Sequence, residues 1–220
     1  MFDQNQINMK ISSEKIAGIA LIIGSLLMAV TMALHPVGGN VEHLLKTVRV
    51  IVISHSIALL AVPFLAVGFW GLTKKLGRDS FLPSIAFSMV VMGLIAGMIA
   101  ATINGLALPL FIGNFKEVSP DTTASIKSIL KNNIAINQAF DFVFIGAICL
   151  STLFWSIAII LTKTLQHWLG YFGIALFIVV TTMLVSGFIF TNLHGFRLFI
   201  LTNVIWIGLI AMNLIRSRVE

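Results

Sequence analysis

The distribution of formal charge constrains this chain more than any motif in it. No Asp, Glu, Lys or Arg occurs between Lys15 and Glu42, between Arg49 and Lys74, or between Asp79 and Lys116. The run from Asn132 to Thr162 contains a single charge, Asp141, and two further charge-free stretches lie between Lys163 and Arg197 and from Leu198 to Ile215. A helix needs about 20 predominantly apolar residues to cross the roughly 30 Å of bilayer hydrocarbon, and every one of these stretches is long enough. Composition agrees, since 58% of the 220 residues are hydrophobic and 10% are charged, against about a quarter charged in soluble domains.

The runs are continuously apolar rather than alternating, and lipid offers no hydrogen-bonding partner to an open strand edge. The expectation is an all-α integral membrane protein: one transmembrane helical domain over residues 1–220, a bundle of six transmembrane helices with short loops. The spans are expected near 16–34, 49–73, 83–110, 136–161, 169–190 and 197–215. The first is read as a retained helix rather than a signal peptide. Its apolar run from Ile16 to Leu34 exceeds the 7–15 residues or so of a signal-peptide core, and no small-x-small cleavage site follows. The single cysteine, Cys149, lies inside the fourth span, which excludes an intrachain disulfide and a thiolate metal cluster and makes it a small packing residue.

Six spans put both termini on one face. That face carries Lys10, Lys15, Lys74, Lys75, Arg78, Lys163, Arg216 and Arg218, mostly tight against span ends, whereas Lys46, Arg49, Lys116, Lys127, Lys131 and Arg197 lie on the other. The denser set marks the cytoplasmic side, with Trp70, Trp168 and Tyr171 at that boundary. The net charge of +6 then suits anionic lipid at the cytoplasmic face rather than nucleic acid, for which there is no soluble basic domain. Ser54-His55-Ser56 and the later Gly71-Leu72-Thr73-Lys74-Lys75-Leu76-Gly77 have the general look of small bacterial membrane proteins, and a bacterial plasma membrane is the expected location.

Two outer connections are longer. In the first, Pro36, Gly38 and Gly39 break the helix and Asn40 is placed to cap the next. In the second, Ser119-Pro120-Asp121 supplies a cap, a proline at the first helical position and an early acid. Downstream, Ile126, Ile129, Leu130 and Ile134 recur at helical spacing. This predicts an amphipathic helix, lying on the outer membrane surface or packed on the bundle. In the third span, Gly93, Gly97, Ala101 and Gly105 form a stripe of small residues through which a neighbouring backbone can approach, either within the bundle or across a homo-oligomer contact. Pro63 and Pro109 are candidate bends.

The polar residues inside the apolar runs carry the functional signal. His35 ends the first span, His55 lies about two turns inside the second, Asp141 lies inside the fourth and His194 precedes the sixth. In this topology all four belong to the outer side, where His43 can join them or face water. Only His167 falls on the inner side. Asn133, Asn137 and Asp141 are spaced i, i+4, i+8 and share one helical face that should turn inward. An ionisable group in a span costs roughly 2.5–3.5 kcal/mol on insertion scales, so Asp141 calls for a partner or a watery cavity. Arg197 is the obvious partner, and a structural Asp141–Arg197 pair is one reading.

Imidazoles on neighbouring helices also suit a transition metal, with a carboxylate alongside, which makes His35, His55, Asp141 and His194 a candidate metal set. Two histidines could instead ligate haem. No nucleophile elbow, phosphate loop or zincin motif is present, and no catalytic residue is assigned. Three readings follow: a membrane protein with an outward-facing His/Asp pocket for a metal, haem or small ligand; a small proton-coupled transporter using Asp141 and His55 along a path that includes Asn137 and Arg197; and a lipid-active membrane enzyme.

Overall fold

The computed structural model describes residues 12–37, 41–78, 80–113 and 120–216. Six helices follow in chain order: α1 (Ser13–Leu34), α2 (Val41–Lys75), α3 (Phe81–Gly113), α4 (Pro120–Thr162), α5 (His167–Val185) and α6 (Leu193–Arg216). Each contains a segment long and apolar enough to cross a membrane. The expected all-helical bundle of six spans is the observed architecture.

Going round the bundle, α1 packs between α2 and α6, α2 also meets α3, α3 packs on α4, and α4 on α5, with α5 closing against α6. Buried tryptophans fasten two of these seams. Trp155 of α4 stacks on Phe69 of α2, ring centroids 4.8 Å apart, and donates to Thr73 Oγ1 (3.2 Å). Trp206 of α6 donates to the Leu169 carbonyl of α5 (3.0 Å). At the end of the bundle nearest both termini, Lys75 pairs with Glu14 (2.8 Å) and ties α2 to α1. Trp168 and Tyr171 are exposed at that same end, and Arg78 sits over the Trp70 ring.

Several helices outrun the expected spans. At 35 residues α2 is about 52 Å long, and at 43 residues α4 is about 64 Å, well beyond the hydrocarbon. Hydropathy marks only the part of a helix that lipid surrounds, whereas the backbone ladder continues wherever other contacts support it. The projecting ends support one another. Ile126 and Leu130 of α4 bury against Ile112 of α3, with Leu44, Leu45, Leu108 and Phe111 packed around them. The amphipathic segment is therefore helical and packed on the bundle, continuous with the fourth span rather than a separate surface element. The fifth span ends at Val185 instead of 190, and α6 begins at Leu193 instead of 197. Gly187, at φ +84°, turns the chain between them. Asn40 and Ser119 lie outside the described residues; α4 starts at Pro120, the position where a missing N–H costs nothing.

The small-residue stripe of α3 is used inside the chain. A side chain at Gly93 would meet Ala147 and Ile148 of α4, one at Gly97 would meet Phe144, and one at Gly105 would collide with His55 of α2.

Candidate functional site

Gly105 belongs to a π-helical turn, Ile103–Ala107, that interrupts α3. Such wide turns place one extra residue in the helix and occur often at functional sites. Here the turn carries Asn104, whose side chain joins the polar face of α4. Asn133 Nδ2 donates to Asn104 Oδ1, and Asn104 Nδ2 donates to Asn137 Oδ1. Asn137 Nδ2 in turn donates to Asp141 Oδ2 (2.6 Å). The three amides form one directed chain that ends on the carboxylate. The i, i+4, i+8 face thus turns inward as its spacing implied. Asn104, which closes the network, is a lone amide in a predicted span; that polarity in an apolar run is the signal that could have singled it out.

Histidines from two helices meet beside this network. His35, at the C-terminal end of α1, and His55, within α2, bring their rings to a centroid distance of 4.9 Å. Carbonyl oxygens only accept, so His55 Nδ1–H donates to the Ile51 carbonyl (2.8 Å) and His35 Nδ1–H to that of Pro36 (3.0 Å). Each neutral ring then keeps Nε2 as an acceptor. Burial holds the His35 imidazole below its usual pKa; the hydrogen bond to Pro36 opposes this and the Arg197 charge adds to it.

Arg197 does not pair with Asp141. Its Nε donates to the Met32 carbonyl (3.0 Å) and its Nη2 to that of His35 (2.6 Å). These are carbonyls at the C-terminal end of α1, which have no partner within that helix and carry the negative pole of its dipole. The guanidinium satisfies both needs at once, and the expected ion pair is replaced by a charged cap. Asp141, 8% exposed, forms no ion pair among the described residues, where the ion pairs are Lys46–Glu42 and Lys75–Glu14.

The four-residue metal set does not assemble. His194 is exposed on the first turn of α6 and does not line the cavity that His35, His55 and Asp141 share. Among the described residues no group of three or more His, Cys, Asp or Glu could hold a metal ion. Nor can His35 and His55 sandwich a haem, because their rings are in contact and leave no gap for a porphyrin. His43 and His167 are exposed.

His35, His55, Asn104, Asn137 and Asp141 instead line a cavity of about 390 Å³ within the bundle; Arg197 and His194 are not among its lining residues. Its walls come from α1, α2, α3, α4 and α6. His35, His55, Asn104, Asn133, Asn137 and Asp141 form a polar band toward the His35 end of the cavity, bordered on its outer side by Leu44, Ile51, Leu108 and Leu130; farther from that end the lining is mostly apolar, reaching Leu65, Phe69, Leu94, Phe144, Ile148 and Ile207. Three deeper polar residues, Thr31, Ser25 and Asn203, are bonded to their own helices through the carbonyls of Leu27 (2.9 Å), Leu21 (2.6 Å) and Phe199 (2.9 Å). The cavity thus has a polar band toward one end and a mostly apolar floor. Fold and site together define a polytopic helical membrane protein with an amphipathic interior cavity. No family model, curated protein or solved structure matches the chain.

Proposed function

We propose that this protein binds a small amphiphilic ligand inside the bundle, its polar group held by His35, His55 and the Asn104–Asn137–Asp141 chain and its apolar part resting on the floor. The observation that carries this reading is the lining of the 390 Å³ cavity, a polar band beside a mostly apolar floor, a size and character typical of sites for small ligands, which combine apolar walls with a few placed polar groups. The polar band lies toward the outer side in the orientation that basic-residue density favours, with both termini cytoplasmic in a bacterial plasma membrane and anionic lipid against the cytoplasmic face.

Photocrosslinking tests it. A diazirine-bearing decanol, added to protein in lipid nanodiscs, should label floor residues such as Leu65 and Ile148, with unlabelled decanol competing. Ala101→Phe, which places a ring in the cavity, should abolish the labelling while the protein stays monodisperse. Labelling that is confined to lipid-facing residues, or is indifferent to Ala101→Phe, would overturn the reading. A proton-coupled transporter is the second reading, favoured by the π-helical break beside a buried acid without an ion partner. Proton-coupled uptake into liposomes, abolished by Asp141→Asn, would support it.

A further inference from the structure

We infer that the ligand is a monovalent organic cation, an amine carried on an apolar body, whose nitrogen pairs with Asp141. This rests on the cavity being a binding site, as proposed above, and adds the charge and chemical class of what fills it.

Among the described residues, Asp141 is the one formally charged residue in the cavity lining. It is 8% exposed and sits on the wall of the void, in a segment expected to lie within the membrane. A charge so placed calls for an opposite charge or a proton. Among the described residues no cation pairs with Asp141: Arg197 caps α1, and neither ion pair includes the carboxylate. The two imidazoles in the lining have each turned Nδ1–H to a backbone carbonyl, so they present acceptors and reinforce a preference for a donor.

The alternatives to an organic cation use only part of the site. A hard metal ion wants several oxygen ligands, but the amide oxygens of Asn104 and Asn137 are already committed to the neighbouring amides. A proton would neutralise the carboxylate and leave the apolar floor without a role. An ammonium group on an alkyl or aryl body uses both halves: the nitrogen donates to Asp141 and the imidazole acceptors, and the hydrocarbon covers Leu65, Phe69 and Ile148.

The test compares decylamine, decanol and N-decylacetamide as competitors for the diazirine-decanol label in nanodiscs at neutral pH. Decylamine is expected to compete at least about tenfold better than either neutral compound, as a desolvated charge pair across a binding interface allows. Asp141→Asn should erase that margin while decanol still competes, and Asp141→Glu should restore part of it. Equal competition by all three, or an amine preference that survives Asp141→Asn, overturns the inference while leaving the cavity as a binding site. If none labels or competes in the cavity, the binding reading itself falls. Should Asp141→Asn fail to fold, the amine-to-acetamide ratio on the wild-type protein decides the matter alone.

Discussion

Replacing Arg197 with Gln tests whether this residue serves the end of α1 or Asp141. The guanidinium makes two charge-assisted bonds, to Met32 O at 3.0 Å and His35 O at 2.6 Å. In water such bonds contribute about 1.5–3 kcal/mol each, but interhelical bonds in membrane proteins average about 0.6 and reach about 1.7. A cation at a helix C-terminus adds about 0.3–1 kcal/mol. Arg197→Gln should therefore destabilise the fold by about 2 kcal/mol. Asp141→Asn keeps an acceptor for Asn137 and removes a buried charge, so alone it should be near neutral or mildly stabilising.

The double variant decides. Without a direct Arg197–Asp141 contact the two effects add, to within about 0.5 kcal/mol. An ion pair would couple them by about 1.5 kcal/mol or more. Equilibrium unfolding in mixed micelles, followed by fluorescence of the buried Trp155 and Trp206, measures all four corners of the cycle. Coupling of the larger size, with Asp141→Asn rescuing Arg197→Gln, would refute the capping role.

Three further outcomes follow from the same packing. Gly105→Ala forces a methyl group into the His55 side chain and should cost about 1–3 kcal/mol, whereas Gly146→Ala, with nothing within 4 Å of the new carbon, should gain up to about 1 kcal/mol from helix propensity; thermal unfolding of both in detergent checks the contrast. Asn104→Leu breaks the bonds to Asn133 and Asn137 together and should lower stability by about 1 kcal/mol, with diazirine-decanol labelling of Leu65 and Ile148 altered in the same sample. His35 has a folded pKa below its ordinary value, so as pH falls through the usual histidine range, about 6.5, the unfolded chain takes up a proton that the folded one refuses. Stability should decline from pH 7.5 to 5.5 and level off below the folded pKa, and His35→Gln should flatten that slope in a melting-temperature series.

The six spans were legible because hydrocarbon tolerates so little charge that the runs between Lys15, Glu42, Arg49 and the later charges could be little else. The inward face of α4 was legible too, since i, i+4 spacing fixes which side chains share a side whatever surrounds them. Arg197 was not. Its partner depends on which helix end lies beside α6, and Met32 and His35 are more than 160 positions away in sequence. A carboxylate is a conspicuous partner in a sequence; a row of orphan carbonyls at a helix terminus is invisible there, although each is as strong an acceptor requirement. His194 was not legible either: which side of α6 faces the cavity depends on how that helix packs, and the structure leaves His194 exposed.

The stripe on α3 shows how spacing alone can mislead about faces. Residues four apart advance about 400° on a helix of 3.6 residues per turn, so the stripe drifts by about 40° at each step. From Gly93 to Gly105 it rotates by about 120°, before the wide π-helical turn adds its own offset. One run of small residues therefore serves two neighbours: Gly93 and Gly97 admit α4, while Gly105 admits His55 of α2. That drift puts Gly105 against the histidine, in the same turn that presents Asn104 to the acid-bearing face of α4. The π-helical turn is thus where the packing of α3 and the polar lining of the cavity depend on the same five residues, and a change there should disturb both together.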